Sequence, residues 1–86
     1  MNLSTSAGNS FWASLAQHAA LVAATLAAVT VAPPVGAPRS GDVVTVAGRT
    51  GIVAFYLEQG GRRFGYVVFD LYQGSLFLPD SLTAIG

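Results

Sequence analysis

The first charged side chain in this chain of 86 residues is Arg39. Met1 to Pro38 contain no Asp, Glu, Lys or Arg, and all eight charges fall between Arg39 and Gly86. A segment without charge cannot offer water the charged face that surface helices normally carry, so whatever it forms has to be covered. The whole chain is 52% hydrophobic and 9% charged, far below the usual quarter of charged residues. A chain this short builds one small core that is marginal when alone. Its apolar surplus therefore needs a cover, which can be its own sheet, a lipid bilayer or other proteins.

The charge boundary coincides with "APPVGAPRSGD", where Pro33, Pro34 and Pro38 end any helix and force extended geometry on the residues before them. The sequence thus divides into a lead-in and apolar helix over residues 1–32, a stiff proline-rich linker over 33–40, and a glycine-rich part over 41–86. Within the first part, Met1 to Gly8 reads as an extended lead-in and Ser10 or Asn9 as the N-cap of a helix over Phe11 to Ala32. Ala and Leu favour that helix, while Thr25, Val29, Thr30 and Val31 weaken its last turns through restricted χ1 freedom. Its roughly 22 residues would span about 33 Å, close to the thickness of a bilayer's hydrocarbon core.

Three readings of the helix compete. A cleaved secretory signal is set aside because no basic n-region precedes it and the small-residue candidates for cleavage are followed by proline. A membrane span is consistent with the lack of charge and with Phe11 and Trp12 at one end, but alanine contributes little to insertion and Gln17 and His18 oppose it. The third reading starts from Ala16, Ala20, Ala24, Ala28 and Ala32, a ridge of small residues every four positions that lets another backbone approach closely. Leu15, Val22, Leu26 and Val29 form a bulkier stripe. A helix with a smooth face, a bulky face and no charged face is expected to lie among other subunits.

The second part, "GDVVTVAGRTGIVAFYLEQGGRRFGYVVFDLYQGSLFLPDSLTAIG", holds short β-rich runs parted by turn signals. Strands are expected at Val43–Ala47, Thr50–Glu58, Phe64–Asp70, Ser75–Leu78 and Leu82–Ile85. Gly60-Gly61 supplies both positive φ values of a type I′ hairpin, and "LPDSL", Leu78 to Leu82, reads as a one-turn helical connector. The fold class expected is α+β, with an N-terminal apolar helix followed by a small all-β barrel.

The order "GDVVTV", "GRTGIV", "YVVFD", "FLPDSL" resembles the SH3-like barrel of KOW-type domains and of small barrel subunits in photosynthetic and respiratory complexes. The resemblance covers about half the chain and implies a fold rather than a task. For KOW domains it implies RNA or ribosomal contact through basic loops. Here Arg49, Arg62 and Arg63 are the basic residues of that region, beside four acids, and the net charge is zero, so a nucleic-acid partner is not expected.

Period-two alternation places Val44, Val46, Val53, Phe55, Leu57, Val67, Phe69, Leu76, Leu78 and Leu82 inside the barrel. Val43, Ala54, Tyr56, Phe64, Tyr66, Val68 and Phe77 then point outward, with Leu71 and Tyr72 in a loop. Such an outer face is too apolar for a soluble monomer and is expected to be an interface. The competing reading is that the N-terminal helix folds back over it, which the proline linker makes geometrically harder.

Chemistry is sparse. His18 could ligate a porphyrin or a metal, yet it has no second ligand in the chain, and a structural role is expected. Asp42, Glu58, Asp70 and Asp80 fall at strand ends and turns, where carboxylates bond backbone amides. The N-terminal serines lack the base and orienting acid of a triad. "GRTG", Gly48 to Gly51, lacks the lysine and helix of a phosphate loop and reads as a β-turn. The absence of cysteine removes disulfides and thiolate metal sites. No catalytic residue, metal site or cofactor is expected, and "NLS" at Asn2 is too common a glycosylation pattern to weigh.

The expectation is a non-enzymatic structural subunit of a large assembly whose partners are other protein subunits. The interface would be built from Ala16, Ala20, Ala24, Ala28, Leu15 and Val22 on the helix and from Tyr56, Phe64, Tyr66, Val68 and Phe77 on the barrel. The setting expected is a virion, where small neutral proteins serve in many copies as capsid cement, minor capsid or neck components; no motif carries that step. The alternative is a single-span accessory subunit of a bacterial membrane complex, held through Phe11 to Ala32. An RNA-associated KOW-like module is the third reading.

Overall fold

The computed structural model describes residues 6–85, with side chains from Ser10 onward. The glycosylation pattern at Asn2 and the first part of the expected lead-in lie outside the described residues. The chain is α+β, with helix α1 (Ser6–Thr25) followed by strands β1 (Val43–Val46), β2 (Arg49–Gln59), β3 (Arg62–Asp70), β4 (Gln73–Phe77) and β5 (Thr83–Ala84). The strands form one antiparallel sheet in the order β4-β3-β2-β1-β5. Its two edges, β4 and β5, do not pair, so the sheet is an open, barrel-like arrangement rather than a closed barrel.

Turn chemistry sets the register. Gly60 and Gly61 have φ of 60° and 79°, the two left-handed positions of the expected type I′ hairpin between Gln59 and Arg62. The β1–β2 hairpin uses Ala47 and Gly48, at 52° and 76°, so the turn lies one step before the expected "GRTG", and Arg49–Gly51 already pair with β1. Between β3 and β4 the loop is Leu71-Tyr72, where the Tyr72 amide donates to Asp70 Oδ1 at 2.6 Å in place of a glycine-driven turn. Pro79–Ser81 forms the expected one-turn helical connector, as a 3-10 turn.

The helix differs from expectation at both ends. It starts at Ser6, so Ser10 and Asn9 are helical rather than capping residues, and it stops at Thr25 rather than near Ala32. The Thr25 hydroxyl donates back to Leu21 O at 2.8 Å, and the following residues continue only as turns. The tertiary reason lies at Val31, whose amide donates to Tyr56 O at 2.9 Å in an antiparallel bridge to β2. That bridge needs extended backbone, so the chain must leave the helix first. Among the described residues, no helix is long and apolar enough to cross a membrane.

The sheet has a core on each face. One face gathers Val44, Val46, Val53, Tyr56, Val67, Phe69 and Leu82, with Val31, Ala37 and Phe77 packed against them. The linker belongs to this core and does not hang free: Pro38 is buried, and its carbonyl accepts a 2.6 Å hydrogen bond from the Tyr56 hydroxyl. The other face gathers Ile52, Ala54, Phe55 and Val68, and α1 lies across it with Leu15 and Ala19 buried. The helix therefore folds back over the outer face of the sheet, the arrangement that the proline linker was expected to hinder. The linker permits it by turning at Val35-Gly36, with Gly36 at φ 83°.

One irregularity redistributes the inward and outward positions. The β2–β3 register shifts between Val53 and Phe55, a bulge that takes in Ala54. Val53 faces the first core, Ala54 and Phe55 both face the helix, and Tyr56 returns to the first core. Tyr56 is thus inside, contrary to alternation, while Phe55 and Leu57 lie under the helix. The alternation is right for Val44, Val46, Val53, Val67, Phe69 and Leu82. It fails on β4 and at Leu78: Phe77 packs inward, and Leu76 and Leu78 are exposed.

Candidate protein–protein interface

The two cores decide which expected interface residues remain available. Leu15, Tyr56 and Val68 are buried within the chain, so none of the three can meet a partner as it stands. Leu15 and Val68 belong to the helix–sheet core, and Tyr56 is held by Pro38. Burial pushes the Tyr56 hydroxyl above its ordinary pKa, and the nearby Asp42 carboxylate acts in the same direction. Val22 and Tyr66 are half-buried against the helix–sheet core, Tyr66 stacked on Phe55 at 5.0 Å between ring centroids. Phe77 is half-buried in the opposite core, edge-on to Phe69 at 6.0 Å, and Phe64 is half-buried.

The alanine ridge has a different fate. Ala16, Ala20 and Ala24 are exposed along α1, and Ala28 is exposed in the turn beyond it. Ala19 and Ala23, one position earlier in each helical turn, face the sheet. The small side chains thus serve both sides: one row lets α1 sit close to the β-sheet, and the other stays at the surface. An open groove of about 290 Å³ runs where Ala16 and Ala20 border Ser40 and Gly41. The outer helix surface also carries Leu21, 67% exposed, with Leu26 and Val29 exposed past the end of α1.

Alternation did not single out a cleft of about 530 Å³ between the start of α1 and the β3–β4 loop. Phe11, Ser14 and Leu15 line one side, and Asp70, Leu71 and Tyr72 the other. Tyr72 is 93% exposed. The available signal was a two-residue loop occupied by leucine and tyrosine, residues that a solvated hairpin loop does not call for. Val35 at the tip of the linker is fully exposed as well.

Polar side-chain contacts tie separate segments together. Arg49 lies over the Phe69 ring at 4.0 Å from its centroid and donates through Nη2 to Gln73 Oε1 at 2.6 Å, closing the rim of the first core. Arg63 donates to Ala32 O at 3.2 Å, and Asp42 Oδ2 accepts from the Arg39 amide at 2.9 Å. His18 is half-buried and lines a shallow surface with Leu21, Val22, Thr25 and Leu26. Among the described residues, no group of three His, Asp or Glu side chains is placed to hold a metal ion. No family model, curated protein or solved structure matches the chain.

Proposed function

We propose that this chain is a non-enzymatic structural subunit of a large multi-subunit assembly, with a virion as the favoured setting. The observation that carries the reading is the apolar surface left over after the chain has covered both faces of its own sheet. Phe11, Leu21, Leu26, Val29, Leu71, Tyr72, Leu76 and Leu78 are exposed, and the helix that contributes the first two bears no charge along its length. Other protein subunits are the natural cover for such a surface. The available alanine ridge supports close approach of a neighbouring backbone at Ala16, Ala20 and Ala24. The choice of a virion rests on the small size and neutrality of the chain.

The test is recovery of the protein from purified particles at a fixed ratio to a major shell protein. Ala24→Leu, at an exposed position, should fold normally and be recovered at least about tenfold less, because a larger side chain holds the neighbour away. Normal recovery of that variant would remove the ridge from the interface. Retention of the protein on membranes after an alkaline carbonate wash, or tight RNA binding at physiological salt, would replace the proposal itself.

A further inference from the structure

The β4 strand is an edge of the sheet and carries neither a charged residue nor a proline of its own. A strand alternates its backbone groups between its two neighbours, so about half of the amides and carbonyls of Gln73–Phe77 face away from β3. The opposite edge, β5, is only two residues long. No charged residue lies between Asp70 and Asp80, and no proline interrupts β4. Helix α1 packs over β2 and β3 and leaves β4 uncovered among the described residues. Leu76, Leu78 and Tyr72 are exposed along or beside this edge.

We infer that β4 pairs with β4 of a second copy of this chain, antiparallel and about a twofold axis at Ser75. This rests on the proposed role as an assembly subunit and names one of its partners. The identity of the occupant follows from self-complementarity. A Ser75-centred register sets Leu76 of each copy opposite Gly74 of the other, beside the Tyr66 ring that already covers that glycine. The same register sets exposed Tyr72 opposite exposed Leu78, and no charge faces a like charge within the paired strands. A twofold axis normal to the sheet keeps equivalent faces together, so both helices lie on one side of a continuous sheet. The contact is isologous and closed, leaving the alanine ridge free for other subunits.

The experiment is analytical ultracentrifugation of the full chain over a concentration series, repeated with Ser75→Lys and Ser75→Glu. Ser75 is exposed, and circular dichroism checks that each variant keeps its fold. The wild type should dimerise with concentration. Each variant should raise the midpoint at least about tenfold, because two like charges meet at the axis, and an equimolar Lys/Glu mixture should recover the dimer. Since the chain has no cysteine, Ser75→Cys should form a disulfide-linked dimer on mild oxidation, whereas Ser40→Cys should not. An unchanged midpoint in both charged variants would overturn the inference by assigning the dimer to another surface. A wild type that stays monomeric to about 1 mM would also overturn it. The particle-recovery measurement with Ala24→Leu judges the assembly role separately.

Discussion

Leu15→Ala tests the docking of α1 on the sheet, the feature that most alters which surfaces the chain exposes. Leu15 is 1% exposed and packs in the core with Ile52, Ala54, Phe55 and Val68. Buried Leu→Ala changes cost about 2–5 kcal/mol, with the low end applying where the surroundings relax or water enters. Leu15 also borders the open cleft beside Tyr72, which places its cost near ~2.5 kcal/mol. For a chain of this size each kcal/mol moves Tm by about 4–8 °C, so the expected drop is roughly 10–20 °C. Leu21→Ala is the matched control. The same atoms are removed from the same helix, but Leu21 is 67% exposed, and the expected change is within about 0.5 kcal/mol. Both variants are compared with wild type by thermal and urea unfolding followed by circular dichroism. Equal effects from the two substitutions would refute the docked helix and return the outer sheet face to the list of free surfaces.

Two further perturbations address the sheet itself. Tyr56→Phe removes the hydroxyl bonded to Pro38 O and leaves a buried carbonyl without its partner, a loss of about 1–2 kcal/mol measurable by urea unfolding. The folded state holds the Tyr56 proton more tightly than the unfolded chain does. This contribution is therefore complete below the unfolded pKa of 10.0 and fades as pH rises through the folded value; the loss should be absent from the Tyr56→Phe profile. Gly51→Ala should destabilise by about 1–3 kcal/mol or more, because the added carbon would meet Val68 O at 2.6 Å and Val67 Cγ1 at 2.7 Å. An unchanged Tm for that variant would mean that β2 and β3 lie farther apart at Gly51 than described.

The parts of the fold that were legible in the sequence are those set by local chemistry. Gly60-Gly61 announces a hairpin because few other residues accept its backbone, and "LPDSL" announces a connector through its proline and turn residues. The bulge at Ala54 was hidden because Ile52 to Leu57 is an unbroken apolar run, in which a one-residue shift leaves no polar marker out of place. Alternation therefore puts Tyr56 at the surface and Phe55 inside, and an interface read from it misplaces Tyr56. The end of the helix was hidden for another reason: it is set by the pairing of Val31 with Tyr56, a contact between distant residues that local propensity cannot encode. That the outer face needed a cover was legible from its composition, but composition does not distinguish a neighbouring subunit from the chain's own helix.

The linker attachments also fix how the molecule bears mechanical load. Val31 is bonded to Tyr56 O and Pro38 to the Tyr56 hydroxyl, so both ends of the proline segment are fastened to one residue in the middle strand of the sheet. Tension on the helix therefore reaches the central strand at Tyr56, where β3 pairs on one side and the isolated Val31 bridge occupies the other. A tether inserted between Thr25 and Val31 would lengthen the path to that anchor without loosening it, whereas one inserted between Val31 and Pro38 would leave each fastening to carry the strain alone.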